Sequence, residues 1–199
     1  MIKIGITGGI GSGKSTVCQV FAALQIPIFY ADEVAKNIYQ TSNKVKEALI
    51  EHFGEQMYDK NGVFQRDLLR SIVFNNNEEL QWINQLIHPI VKEEGNLWFK
   101  NQQSPYAIKE AALLIESGSY QDMDFVILVL SPIELRMKRI LHRDPFLKTS
   151  DIEQRMAMQF SDERKETYAD FLIHNDEKKA LIPQVIFLHQ QIMERCTNL

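Results

Sequence analysis

The chain has 199 residues, 45% of them hydrophobic and 24% charged, with a formal net charge of −4 at pH 7. These are ordinary values for one globular α/β domain with room for an inserted subdomain, and the slightly acidic balance sets up no broad field for nucleic acid, so anionic ligands must be held by local cations. Two widely separated cysteines, Cys18 and Cys196, make no disulfide framework, and with no apolar run near the ~20 residues of a membrane span and no signal peptide expected before the first strand, a cytoplasmic protein without membrane partners is expected.

Ile2, Ile4 and Ile6 alternate, which predicts a short strand. Gly8-Gly9-Ile10-Gly11-Ser12-Gly13-Lys14-Ser15 follows and fits G-x-x-x-x-G-K-[ST], the phosphate-binding loop. Glycines let the backbone turn tightly and approach a ligand closely. Successive N–H groups then point inward at phosphate oxygens, and a helix starting there adds the positive end of its dipole. Val17, Val20, Phe21 and Leu24 recur with helical spacing, so strand, Gly-rich loop and helix come in the order that the motif demands. In that setting Lys14 reaches the β- and γ-phosphates and the Ser15 hydroxyl sits on Mg²⁺.

Ile26 to Tyr30 reads as a second strand, with a helix expected from Ala31-Asp32. Asp32 is either a helix N-cap or an acid at the C-terminal end of a strand, where open α/β sheets place ligands. Residues 43–102 read as almost wholly helical, an inserted subdomain with three apolar stripes. Asn77 with Glu78 and Glu79 marks a helix start, and Pro89 is expected to kink or restart that helix. His88 is a packing histidine or a ligand contact at that break. Asp59-Lys60-Asn61-Gly62 has turn composition.

Tyr106 to Glu110 predicts a third strand, with Glu110 either holding Mg²⁺ through water or solvated in a loop. Asp124 to Leu130 is a buried strand; Asp124 precedes it, at the wrong end for a metal. Ser131-Pro132-Ile133-Glu134 has the form of a capping box with proline at the first helical position. That helix carries Arg136, Lys138, Arg139 and Arg143. Asp144-Pro145 turns the chain, and Ser150 to Glu153 is expected to cap a helix bearing Arg155, Arg164 and Lys165. Each cation alone reads as part of a solvated face paired with Glu134, Glu153 and Glu163; as a group they read as a lid that closes over a triphosphate. Phe171 to Ile173 is a last short strand, Asn175 a turn residue or an adenine contact, and 177–196 a closing amphipathic helix.

Together these elements predict a three-layer α/β/α P-loop NTPase fold with a five-stranded parallel sheet, a helical insert and a helical lid. The boundaries are a core of about 1–32, 104–135 and 166–199, an insert of about 33–103 and a lid of about 136–165. No N-K-x-D motif reads guanine, which favours a small kinase over a GTPase switch.

Beyond the loop, the chain resembles the dephospho-coenzyme A kinase family over nearly its whole length. Ile4 to Thr16 is similar to that family's opening; Tyr30-Ala31-Asp32 stands where it usually has D-A-D; Leu86 to Pro89 resembles L-x-H-P. Gln65-Arg66 through Leu69, then Phe74, resembles its helical insert. Glu110 to Glu116 resembles D-[IV]-P-L-L-[FV]-E, with Glu110 for Asp and Ala112 for Pro. Arg139, Arg143 and Asp144 fit R-x-x-x-R-D, and Arg155 with Gln159 fits R-x-x-x-Q. Ala169, Asp170, Ile173 and Asn175 fit A-D-x-x-I-x-N, although Glu177 stands where the family commonly has Gly.

The resemblance implies Mg²⁺-dependent transfer of the ATP γ-phosphoryl group to the ribose 3′-hydroxyl of dephospho-coenzyme A. It implies Asp32, Lys14, Arg139 and Arg143 as catalytic, and Gly8 to Thr16 with Asn175 as the nucleotide site. Asp32, Arg66, His88 and Leu113 would bind the acceptor, and Ser15 with Glu110 the metal. A kinase of another small acceptor, such as a nucleoside monophosphate, is the alternative, and a monomer or weak homo-oligomer is expected.

Overall fold

The computed structural model describes residues 1–73 and 76–197; Phe74, one of the residues in the insert resemblance, lies outside them. Five parallel strands form one sheet in the order β2-β3-β1-β4-β5. They are β1 (Ile2–Thr7), β2 (Ile28–Tyr30), β3 (Tyr106–Glu110), β4 (Phe125–Leu130) and β5 (Phe171–His174). Every connection is therefore a crossover, and helices lie on both sides, the arrangement that buries a parallel sheet. β2 is shorter than expected, because Pro27 has no N–H to offer a ladder and only its carbonyl pairs, with the Ile108 N–H at 2.9 Å.

The chain divides into two compact units, residues 1–30 with 98–199, and residues 31–97. The first contains the sheet. Ile2, Ile4, Ile6, Tyr106, Ile108, Ile127, Val129 and Ile173 face α1 (Lys14–Ala23) and α9 (Leu181–Thr197), which supply Val17, Cys18, Phe21, Val185, Leu188 and Ile192. The strands' two-residue alternation thus meets the helices' wider stripe in one dry layer. On the opposite face Gly5 lies against Leu114 and Met123, and a β-carbon there would approach the Leu114 side chain to 2.5 Å. The unit also holds α6 (Ile133–Arg143), α7 (Thr149–Ala157) and the short α8 (Asp162–Glu166).

The second unit is helical: α2 (Ala31–Thr41), α3 (Asn43–Phe53), α4 (Arg66–Val73) and most of α5 (Asn77–Lys100). Between α3 and α4 the Asp59 side chain accepts from the Asn61 and Val63 N–H groups at 2.8 and 2.9 Å, making the expected turn. Tyr58 and Phe64 then pair as an isolated antiparallel bridge inside the stretch expected to be helical. Tyr39 stacks on Phe64, with ring centroids 4.7 Å apart. The Asn76 side chain caps α5 by accepting from the Glu78 and Glu79 N–H groups. Of the two outcomes expected at Pro89, a kink or a restart, the restart does not occur: α5 runs through it, and packed residues such as Ile83, Ile87 and Val91 hold the turns on either side.

Two further expectations fail at helix starts. Ser131 caps nothing: Pro132 is extended, with φ −52 and ψ 142, so α6 begins one residue later than a capping box requires. α7 begins at Thr149, placing Ser150 inside the first turn with no side-chain cap. The basic segment expected as one helix is two, α7 and α8, separated around Phe160.

Phe21 is fully buried and meets Tyr106 edge-on, with centroids 6.4 Å apart. Phe21→Ala is expected to cost about 3–5 kcal/mol of stability through lost burial and an unfilled cavity, measured by denaturant unfolding. A loss below about 1 kcal/mol would show that the layer can collapse around the gap.

Candidate active site

The phosphate-binding loop leaves β1 at Thr7 and enters α1 at Lys14. Two of its glycines show different reasons why the turn needs them. Gly13 has φ +92, in the left-handed region, and a β-carbon there would lie 2.1 Å from the Asn175 amide nitrogen. At Gly9 a β-carbon would lie 2.2 Å from the Arg136 guanidinium. Lys14 is buried; its ammonium donates to the Gly8 carbonyl at 3.1 Å and lies 4.0 Å from a Glu110 carboxylate oxygen. Ser15 and Thr16 are exposed on the first turn of α1. The Ser12 hydroxyl is buried with no hydrogen-bond partner among the described residues. A buried hydroxyl inside a Gly-rich nest is a group with hydrogen-bonding capacity to spare.

Four side chains from distant parts of the first unit shape this loop. Arg136, almost fully buried, donates from Nε to the Ile10 carbonyl at 3.1 Å and pairs with Asp162 at 3.1 Å. Gln159 accepts from the Ile10 N–H at 2.8 Å and donates to the Ala112 carbonyl at 2.9 Å. The Asn175 amide donates to the Ser12 carbonyl at 2.8 Å. Arg139 in turn donates to Ser131 Oγ and the Asn175 carbonyl, at 3.1 and 3.2 Å, and to Asn175 Oδ1 and Glu177, at 3.4 and 3.3 Å. Asn175 therefore ties Arg139 to the loop, a role outside both the turn position and the adenine contact expected of it.

Glu110 ends β3 beside the loop and is buried, so the solvated-loop alternative does not hold. Together with Lys14 it sets the local field. Burial pushes the Cys18 thiol far up, the Glu110 carboxylate pushes it further, and the Lys14 ammonium opposes both. Cys18 is thereby a packing residue rather than a nucleophile.

The cations expected as a solvated lid face divide in two. Arg143 is exposed on the last turn of α6. Arg136 and Lys165 are buried, and their partners are Asp162 and Glu116 rather than Glu134, Glu153 or Glu163. The Lys165 ammonium is 3.2 Å from Glu116 Oε1, which also accepts the Phe160 N–H at 2.9 Å. The ammonium's angle to the carboxylate is poor for a hydrogen bond, and the other Glu116 oxygen is buried without a partner; the contact is thus ionic more than directional. Sequence reasoning missed Asp162 and this pairing. A usable signal was Glu116 closing the apolar run Leu113-Leu114-Ile115.

In the second unit Asp32 is the second residue of α2, directly after β2, and partly buried; it sits in the first turn, not at the cap. Arg66 opens α4 and is exposed, and His88 is exposed in the middle of α5. Leu113, in the first unit, is 40% exposed, large for a leucine beside a buried strand end. Mg²⁺ commonly takes one or two protein oxygens and completes its shell with phosphates and water. The Ser15 hydroxyl and the Glu110 carboxylate suit that donor set, and among the described residues no cluster of three or more His, Cys, Asp or Glu side chains suits a protein-caged metal.

Removing one partner of a buried ion pair strands the other. Lys165→Met is expected to destabilise the protein by about 3–5 kcal/mol, and the double change Lys165→Met with Glu116→Leu to recover most of that loss in thermal or urea unfolding. Equal losses in the single and double variants would show that packing, not charge, governs this position.

Comparison with known proteins converges on one family. The family model described as dephospho-CoA kinase matches residues 2–180. A dephospho-CoA kinase of Bacteroides fragilis is 37% identical over 201 residues, covering 98% of this chain and 97% of its own. Among solved structures, a Thermus thermophilus protein superposes with a TM-score of 0.83 at 26% identity, covering 98% of this chain and 97% of that one. The dephospho-CoA kinase from Campylobacter jejuni superposes with a TM-score of 0.71 at 28% identity, over 99% and 98% of the two chains.

Proposed function

The chain belongs to the dephospho-CoA kinase family, and from that membership we propose that its loop and strand-end side chains transfer the γ-phosphoryl group of ATP to the ribose 3′-hydroxyl of dephospho-CoA. The observation that carries the reading is the glycine loop with the Lys14 ammonium held beneath it by the Gly8 carbonyl and Glu110. That placement puts a desolvated positive charge where phosphate oxygens would enter.

Each residue then has a task. The backbone N–H groups from Gly11 to Thr16, apart from that of Ser12, which donates to the Gly9 carbonyl, hold the phosphates, aided by the N-terminal end of α1. Lys14 stabilises charge on the transferred group, joined by Arg139 and Arg143. Asn175 orients Arg139 and fixes the Ser12 end of the loop. Asp32 accepts the proton of the 3′-hydroxyl or aims that hydroxyl, and must come within hydrogen-bond reach of it. Arg66, His88 and Leu113 bind the acceptor. Ser15 and Glu110 would hold Mg²⁺, which neutralises phosphate charge when bound.

The family's departures in this chain bear on these tasks unequally. Tyr30 replaces one acid but leaves Asp32. Glu110 is one methylene longer than Asp and already lies 4.0 Å from Lys14, and would hold Mg²⁺ as the second donor behind Ser15. Core, helical insert and lid are proposed as working parts, the lid comprising the hairpin of about residues 136–165. A cytoplasmic location fits the substrates, and no helix among the described residues is long and apolar enough to cross a membrane.

A coupled assay offering dephospho-CoA beside AMP, CMP and shikimate tests the acceptor; turnover is expected with dephospho-CoA, and phosphorylation of AMP alone would end the proposal. Asp32→Asn is expected to lower turnover by about 10²–10⁴-fold with ATP affinity nearly intact. Near-normal turnover would reduce Asp32 to a helix-start residue. Lys14→Ala is expected to damage both turnover and nucleotide binding, and loss of neither would remove it from the site.

A further inference from the structure

Glu177 sits in a backbone conformation that its side chain disfavours. Its φ is +62, in the left-handed region. Gln25, with φ 63, is also left-handed, but it follows the end of α1, where that conformation is a common helix stop. Glu177 follows β5 instead, in a turn closed by the Asp176 carboxylate, which accepts from the Lys178 and Lys179 N–H groups at 3.0 and 3.1 Å. Glycine adopts that conformation without penalty.

Fold stability does not account for a glutamate in that conformation. The Glu177 carboxylate is 3.3 Å from Arg139, but its side chain is 65% exposed, and exposed pairs contribute little. Arg139 does not need Glu177 for its orientation either. Ser131 Oγ, the Asn175 carbonyl and Asn175 Oδ1 already engage both terminal nitrogens through uncharged oxygens. What Glu177 adds is a full negative charge on the outer edge of the guanidinium. Gripping a phosphate with two parallel N–H groups requires Arg139 to give up at least one present acceptor. Glu177 is the solvent-facing one and the one of the same charge as phosphate.

We propose that Glu177 is an internal anion that competes with the nucleotide's phosphates for Arg139, and so sets this chain's affinity for ATP. The inference rests on the reading of Arg139 as a phosphate donor. Binding is then an exchange of carboxylate for phosphate on one guanidinium edge, and the left-handed strain is retained because the turn holds the carboxylate within reach.

The test measures binding of a non-hydrolysable ATP analogue with Mg²⁺ by calorimetry, on the full chain. Glu177→Gln, which keeps size and backbone strain but removes the charge, is expected to tighten binding about two- to fivefold. The gain is expected to disappear when Glu177→Gln is made in an Arg139→Ala background. Glu177→Gly is expected to tighten binding similarly and also to raise the melting temperature, since it relieves the backbone. If Arg139→Ala weakens binding while Glu177→Gln leaves it unchanged or weaker, the competition is refuted and the phosphate role of Arg139 stands. A gain from Glu177→Gln that persists without Arg139 means general repulsion and also refutes it. If Arg139→Ala leaves binding unchanged, the phosphate role fails and the competition fails with it.

Discussion

The Arg136 guanidinium pressed against Gly9 is the contact on which the site depends. It lies where a β-carbon would stand, holds the Ile10 carbonyl, and is kept from solvent by its own burial and by Asp162. A glycine loop is by nature the least ordered stretch of a chain, because each glycine loses the most freedom on folding. Such a loop binds phosphate well only if something else has already met that entropic cost. Here Arg136, Gln159 and Asn175 do so, each fixing a loop carbonyl or N–H from a segment far away in sequence. The nest is thus pre-formed by tertiary contacts, and pre-formation is what lets backbone dipoles stabilise developing charge without reorganising.

The same contacts tie the loop to the segment expected to move. Arg136 and Arg139 share α6; Gln159 and Asp162 stand at the far side of the hairpin. Lys165 and Glu116 pin that far side to the chain following β3. The roots of the hairpin are therefore buried and ionic, while its outer part, from Arg143 through the fully exposed Phe146, is solvated. Buried pairs with few other partners are poor sources of stability but good determinants of a unique arrangement, and a hairpin that closes over a triphosphate needs its roots immobile.

Two of the residues that depart from the resembled motifs stand where charge is managed. Glu110 for Asp extends a carboxylate toward Lys14. Glu177 for Gly places another beside Arg139 at the expense of a strained backbone. Each places a carboxylate beside a cation assigned to phosphate. Ala112 for Pro has a different consequence: the chain there still presents its carbonyl to Gln159, so the loop's support survives the change.

Much was legible from residue order alone. The alternating isoleucines, the glycine loop and the helical stripe of α1 are local patterns, and strand, loop and helix formed where those patterns stand. The nearly unbroken apolar run of β4 pointed to a parallel sheet with both faces covered. Errors fell where a local preference met a competing partner. Pro89 carries an unfavourable propensity, and of the kink or restart it allowed, packing on both sides ruled out the restart. Ser131 has the composition of a cap, but an extended Pro132 left it one residue out of place, and it accepts from Arg139. The phosphate loop and its chemistry were determined by sequence because its function lies in backbone N–H groups whose pattern eight consecutive residues dictate. Which cations are buried, which carboxylates they meet and which side chains hold the loop in shape were decided only by the tertiary fold, because a charge's role depends on neighbours that adjacency in the chain does not reveal.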